Sequence, residues 1–410
     1  MKNKKHSPQK PSPSTASYAV GILLLSSMLL ACSDGSDGSD GSDSGGDLSD
    51  SLTSSRYEHW PVDTWQTASP ESQSMDAAVL DGAFDYAFRS EKFTQAVVVI
   101  KNGLIVAERY ADERDADSFA TSWSVAKSFT SALIGIAVRD GLIGDINVSM
   151  AEFIPEWQGT DKADITLRHV LMMSSGLDWD ESYNPDGGLS DIIQMIVLTE
   201  DQLAYAVARP LRHPPGTVFN YSSGQTLLMS AVLESVTGMS VDAYAQQKLF
   251  SPLGMSPVEW WQDATRRTAL FCCLDTPVRQ FAKFGLLYAR GGEWNGEQLV
   301  PAQWVSDSST PNDVFDGYGY QWWLSDALGE EHRYFSGRGH DGQYVYIFPQ
   351  YDLVVVRNGW YDKFEGEPVA DPYLWPLLPS DGRIPMLGTI PPDNWNDVEF
   401  LTPVIQSIGR

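Results

Sequence analysis

Residues Ser122–Thr130 read SWSVAKSFT and run straight into the apolar stretch Ser131–Val138, SALIGIAV. Apolar residues at helical spacing predict a helix from about Ser124 to Arg139, closed at Asp140-Gly141 with glycine as the C-cap. On that helix Ser124 and Lys127 stand three apart and share a face. A serine is a weak nucleophile until a base takes its proton. A lysine becomes such a base when burial disfavours its ammonium form. At the first turn, the serine's own backbone N–H also points outward, where it can hold an oxyanion. Taken alone the pair is weak evidence, because a helix cap beside a solvated lysine has the same spacing.

Two later segments add to it. After the turn Pro214-Pro215-Gly216 comes Phe219-Asn220-Tyr221-Ser222-Ser223-Gly224, followed by a helix from Gly224 to Thr237. A tyrosine on a loop before a helix can project its phenol into a cleft and relay a proton; the plain alternative is a half-buried packing tyrosine. Gly337-Arg338-Gly339-His340-Asp341-Gly342-Gln343 then opens a strand. Its glycines would let an extended substrate approach the backbone, and the N–H of Gln343 would add a second oxyanion donor to that of Ser124. A tight turn with His340 on the surface is the simpler account.

In this order the three segments resemble the serine beta-lactamase and penicillin-binding protein superfamily. The likeness is to its class C-like branch of D-alanyl-D-alanine carboxypeptidases, beta-lactamase-fold esterases and 6-aminohexanoate-dimer hydrolases. Ser124-Val125-Ala126-Lys127 matches the SxxK motif, Tyr221-Ser222-Ser223 the Y-x-N position, and His340-Asp341-Gly342 the K-T-G position in an H-x-G form. Connecting text such as ITLRHVLMMSSGLDW and CCLDTPVRQFAKFGLLYARGG is similar to the family, over roughly Val97 to Val356. The resemblance implies an α/β (α+β) fold: an antiparallel sheet flanked by helices, an all-helical subdomain, and an active site between them. It implies Ser124, Lys127 and Tyr221 as catalytic residues and the backbone N–H groups of Ser124 and Gln343 as the oxyanion hole. Substrate contacts would come from Tyr183, Ser223, His340, Asp341 and Gly342, with Tyr183 resembling a cleft-loop tyrosine of the aminohexanoate hydrolases. No metal or organic cofactor is implied.

Two departures from the family pattern bear on substrate. Ser223 replaces the asparagine of Y-x-N, and His340 replaces the third-motif lysine. An imidazole is largely neutral at pH 7, where a lysine is positive, so attraction for a substrate carboxylate is weakened. The reading leans toward an esterase or amidase, with a carboxypeptidase or beta-lactamase as the alternative. Arg338 is near enough in sequence to bind a carboxylate. A lipid-anchored binding protein that keeps the fold without turnover is the non-enzymatic alternative. An alpha/beta-hydrolase is disfavoured by the lack of a G-x-S-x-G elbow.

Working outward, Gln95–Tyr110 reads as a hairpin turned at Asn102-Gly103. Met75–Phe88 has helical spacing, and Tyr334–Ser336, Gln343–Phe348 and Leu353–Asn358 read as antiparallel strands. Strands at both ends with helices between them predict one sheet completed by distant segments. A last short helix is expected over Pro403–Ile408, capped by Thr402 with proline at its first position. The adjacent Cys272 and Cys273 read as buried thiols without a structural disulfide, given relaxed disulfide geometry. The histidines are scattered and no CxxC or HExxH occurs, which disfavours zinc.

Lys2, Lys4 and Lys5 precede the apolar Tyr18–Ala31, which stops at Leu29-Leu30-Ala31-Cys32. This resembles a bacterial lipobox and gives a signal peptide over 1–31, with Cys32 as the lipid attachment. An acidic Gly/Ser/Asp tether over 32–55, too polar to fold alone, leads to the hydrolase domain at 56–366. A proline-rich extension at 367–410 packs on the same domain. The expected location is exported, in the bacterial cell envelope, facing the periplasm, with membrane contact only through the anchor. A net charge of −26 in 410 residues argues against a nucleic-acid partner. The expected partner is a small ester or amide.

Overall fold

Along the central strands, successive side chains enter different cores. In the computed structural model, Ala96, Val98 and Ile100 join one hydrophobic cluster, while Val97 and Val99 join the other. The same alternation runs through Val345/Ile347 against Tyr346/Phe348, and through Val354/Val356 against Leu353/Val355. A period of two with apolar residues on both sides means a sheet covered on both faces.

Residues 57–183, 189–360 and 395–409 are described here, and they belong to the unit Thr53–Arg410. The expected signal peptide over 1–31, Cys32, the expected tether and most of the proline-rich extension lie outside them. No helix among the described residues is long and apolar enough to cross a membrane.

The hairpin strands β1 (Thr94–Lys101) and β2 (Leu104–Tyr110) turn at Asn102 and Gly103, both with positive φ. That is the backbone a tight two-residue hairpin requires. A small sheet follows from β3 (Phe119–Thr121), β4 (Glu259–Trp260) and β5 (Leu274–Pro277), and a two-stranded ribbon from β6 (Glu293–Trp294) and β7 (Glu297–Gln298). The late strands are β8 (Trp323–Ser325), β9 (Tyr334–Gly339), β10 (Gln343–Phe348) and β11 (Leu353–Gly359). The large sheet runs β2-β1-β11-β10-β9-β8, so the first hairpin is completed by the last strand, with Val97 opposite Arg357. All its pairings are antiparallel.

Helix α1 (Ala77–Ala87), capped by Asp76, covers one face. Helix α2 (Ala126–Arg139) and the central helical region cover the other: α3 (Leu167–Leu171), α4 (Asp191–Leu198), α5 (Gln202–Val207), α6 (Ser223–Thr237), α7 (Val241–Ala245) and α8 (Ser251–Leu253). Helix α9 (Val278–Ala289) lies tight on the sheet, where a Cβ at Gly285 would fall 2.6 Å from Val354 Cγ1. Helix α10 (Ala302–Ser308) follows.

The end of the chain differs from expectation. Helix α11 spans Asp397–Ser407, with Asn396 as its cap and Pro403 inside it. The Asn396 side chain accepts from the N–H groups of Val398 and Glu399, so initiation needs no proline. Phe400, Leu401 and Val404 enter the core with Phe84 and Tyr346, and Pro403 packs at Gly82 of α1. Burial on the neighbouring helix offsets the hydrogen bond that the proline omits.

The cysteines also differ. Cys272 and Cys273 form a vicinal disulfide with Cα atoms 3.7 Å apart, and Cys273 adopts φ +69°. Adjacent residues cannot reach the usual Cα separation. The left-handed backbone at Cys273 accompanies the closed ring instead.

Candidate active site

The turn that carries Ser124 is built by an unusual backbone step. A 3-10 turn, Trp123–Val125, runs into α2, and Trp123 sits at φ +46°. A bulky residue seldom occupies that region, and such outliers persist where the surroundings hold them. Ser124 is then the one residue between Thr121 and Ala137 that is not buried. The polar residues around it are anchored. Ser122 exchanges two bonds of 2.8 Å with the backbone of Leu274. Ser128 donates to Gln321 O and Thr130 to Leu270 O, each at 2.8 Å.

Lys127 is 1% exposed. Its Nζ lies 3.0 Å from Ser124 Oγ, 2.9 Å from Ser223 Oγ and 3.1 Å from Phe271 O. Burial lowers its pKa from 10.5 to about 8, while the negative charge of Glu181 pulls it back up. The same nitrogen is 4.8 Å from the centre of the Tyr221 ring. Burial pushes the Tyr221 phenol well above its ordinary range, and Glu181 adds to that; a hydrogen bond with Ser124 works the other way. Ser124, Lys127 and Tyr221 thus meet as expected.

The third segment comes together differently. Gly337 and Gly339 on β9 admit the turn that carries Ser124. A Cβ at Gly339 would fall 2.3 Å from Ser122 O, and one at Gly337 would be 3.1 Å from Val125 Cγ1. Gln343 opens β10 opposite Gly339, which brings its backbone to the level of the Ser124 turn. Its side chain turns away, donating to Gly359 O and accepting from Asn358.

Among the expected substrate contacts, His340 and Tyr183 are partly exposed and face one another with ring centres 5.2 Å apart. Trp123 lies at the same distance from the His340 ring. Gly342 is buried, and its carbonyl accepts from Arg357 at 2.8 Å. Asp341 is 1% exposed and braces His340 through a 3.0 Å contact to Nδ1, so it positions the ring instead of meeting substrate. Ser223 is fully buried and accepts from Lys127. Arg338 is no free carboxylate anchor: Asp397 of α11 pairs with it at 2.8 Å.

Sequence reasoning missed Glu181. Its Oε1 accepts from Ser223 Oγ at 2.5 Å and from Tyr183 OH at 3.1 Å. Its Oε2 accepts from Ser223 N at 2.8 Å and from Trp179 Nε1 at 2.5 Å. The one available signal was an acid two residues before Tyr183. No local spacing ties it to Ser223 at the start of α6. Phe271, whose carbonyl serves Lys127, carried no side-chain signal at all. Among the described residues no group of three or more His, Cys, Asp or Glu could hold a metal ion.

The Beta-lactamase family model matches residues 91–367. A 6-aminohexanoate-dimer hydrolase of Paenarthrobacter ureafaciens is 25% identical over 306 residues, 66% of this chain and 74% of that protein. The esterase EstB of Burkholderia gladioli is 29% identical over 208 residues, covering 45% of this chain and about half, 53%, of the esterase. The solved structure of a penicillin-binding protein from Bacillus halodurans superposes with a TM-score of 0.54 at 18% identity, over 68% of this chain and 94% of that one. At that identity the likeness is one of fold. Matched over residues 91–367, with hydrolases among its relatives, this chain belongs to the beta-lactamase family and is a serine hydrolase of that fold.

Proposed function

We propose that the chain hydrolyses small esters or amides that carry no carboxylate beside the scissile bond, through an acyl-enzyme on Ser124. One observation carries this reading: Ser124 Oγ, on the partly exposed residue of an otherwise buried turn, lies 3.0 Å from a buried lysine whose pKa is lowered to about 8. Ser124 Oγ attacks the carbonyl carbon as Lys127 takes its proton. The oxyanion rests on the N–H groups of Ser124 and Gln343. When the C–O or C–N bond breaks, the leaving group takes a proton from the Lys127–Tyr221 pair. Water, deprotonated by the same pair, then releases the acid and frees Ser124.

The lean away from a carboxylate beside the scissile bond has two supports. His340 stands in place of a lysine, and Arg338 is held by Asp397. The relatives' names, a 6-aminohexanoate-dimer hydrolase and an esterase, fit hydrolysis of amides and esters.

A labelling and turnover assay tests the reading. Wild-type protein should react covalently with a fluorophosphonate, hydrolyse p-nitrophenyl acetate or butyrate, and turn over nitrocefin poorly. Ser124→Ala should lose labelling and turnover while keeping its fold, since a small residue at a helix start contributes only ~1 kcal/mol. Near-normal turnover by that variant would overturn the mechanism. A wild type that takes up no label would favour a binding protein, and fast nitrocefin hydrolysis with little esterase activity would move the chain to the beta-lactamase side.

We also propose export and anchoring through Cys32. The end of the apolar run at that cysteine supports it, as does the Cys272–Cys273 disulfide, since such bonds persist in oxidising compartments. Cys32→Ser should move the protein from the membrane fraction to the soluble one; a wild type that is already soluble would contradict the anchor.

A further inference from the structure

A neutral amine has two N–H groups and one lone pair, yet Lys127 Nζ has three oxygen neighbours. The Phe271 carbonyl at 3.1 Å can only accept. A hydroxyl such as Ser223 Oγ at 2.9 Å or Ser124 Oγ at 3.0 Å can do either. The lysine is a useful base only if its lone pair meets the Ser124 hydrogen. Nothing in the lysine itself decides that. If Ser223 donated to Nζ, the lone pair would be occupied and a lysine N–H would face Ser124 instead.

Glu181 removes the ambiguity. The Ser223 hydroxyl has one hydrogen, and the carboxylate takes it at 2.5 Å. Ser223 can then only accept from Lys127. With Phe271 O and Ser223 Oγ both acting as acceptors, the two N–H groups are used and the lone pair points at Ser124. The carboxylate is itself held by Trp179 Nε1, the Ser223 N–H and Tyr183 OH. All four surrounding groups donate, a set that suits a carboxylate and not an amide or a carboxylic acid.

We propose that Glu181 is a positioning residue that, by holding the Ser223 hydrogen, commits the free electron pair of Lys127 to the Ser124 hydroxyl. The proposal rests on the reading of Ser124 and Lys127 as nucleophile and base. It separates two effects of one carboxylate. The charge of Glu181 raises the Lys127 pKa, so its loss leaves more of the lysine neutral at pH 7. A purely electrostatic role therefore predicts a variant that is faster at neutral pH with an unchanged plateau, whereas the positioning role predicts a lower plateau once the lysine is neutral.

The test is the pH dependence of kcat/KM for p-nitrophenyl butyrate in wild type, Glu181→Gln, Ser223→Ala and the double variant. Rates are normalised to the active fraction from fluorophosphonate titration. In Glu181→Gln the acidic limb should move to lower pH while the plateau falls about 10- to 100-fold, the usual effect of a misaligned catalytic group. Ser223→Ala should lower the plateau to a similar degree, and the double variant should be no worse than the poorer single one. A plateau in Glu181→Gln equal to that of wild type, or losses that multiply, would overturn the proposal. If Glu181→Gln does not fold, Ser223→Ala decides alone, because it removes one hydroxyl and leaves the carboxylate in place; a normal plateau there refutes the idea. Failure of the underlying reading looks different, since wild type would then take no label and Ser124→Ala would keep its turnover.

Discussion

Two helices carry a buried lysine each, and burial lowers both pKa values to about 8. Lys127 on α2 and Lys283 on α9 are 1% and 2% exposed. Their neighbours differ. Lys283 donates to the carbonyls of Val62 and Gly254, at 3.0 and 2.5 Å, which have no proton to yield. Lys127 reaches one carbonyl and two hydroxyls, one of them on the partly exposed Ser124. In α9 the depressed lysine is a strap between loops, and in α2 it is the base of the proposed mechanism. A perturbed pKa nominates a residue; the atom it touches decides the role.

The comparison is sharpest in the paired variants. Lys127→Ala should lower kcat/KM on p-nitrophenyl butyrate by about 1,000-fold or more, because the serine loses its activating base. Lys283→Met should stay within about threefold in kcat/KM but lose about 1–3 kcal/mol of stability in urea titration, since two carbonyls lose a buried donor. A Lys283 variant as inactive as the Lys127 variant would break the distinction.

Titration is the next contrast. In wild type, kcat/KM should rise with pH through an apparent pKa near 8, as Lys127 loses its proton. The Lys283→Met profile should keep that limb. Stability sees both lysines alike. Each native pKa lies below the unfolded value near 10.5, so between about 8 and 10.5 the unfolded chain binds more protons. Native stability should therefore gain with pH across the lower part of that window, below the range where tyrosines ionise. Lys127→Ala and Lys283→Met should each flatten the gain. Equal slopes in all three proteins would show that neither lysine is perturbed.

The smallest effect belongs to the disulfide. Cys272→Ala with Cys273→Ala should lower kcat/KM by less than about tenfold. Backbone groups of Leu270 and Phe271 still bond to α2, and that of Leu274 to Ser122 just before it, at about 1 kcal/mol each. A loss as large as that of Lys127→Ala would mean that the crosslink, not the backbone, places the Phe271 carbonyl.

Much of this was legible because it is local. The Asn102-Gly103 turn, the period-two strands and the start of α2 each depend on neighbours in sequence. So does the Ser124–Lys127 pair, which one helical turn brings together. What escaped depends on distant partners. Glu181 has no spacing to Ser223, Phe271 contributes only backbone, and Asp397 reaches Arg338 from the far end of the chain. The third-segment glycines, expected to admit a substrate, lie close against the protein's own turn at Ser122. Thr402-Pro403 looked like a helix start because sequence rules reward proline there, and they cannot see the pocket at Gly82 into which that ring fits.

The pairing of β1 with β11 has a consequence for how the chain is made. A nascent polypeptide that has not reached Leu353 offers β1 no partner on its inner edge, although β2 has already zipped to the other side. Until then Val97 to Ile100 form an open apolar edge, the kind that pairs with stray strands. The order of synthesis thus delays closure of the main sheet until Leu353–Gly359 has been made, and contacts so distant in sequence also slow its formation. For a chain read as destined for export, that delay favours threading through a translocon before the fold can lock.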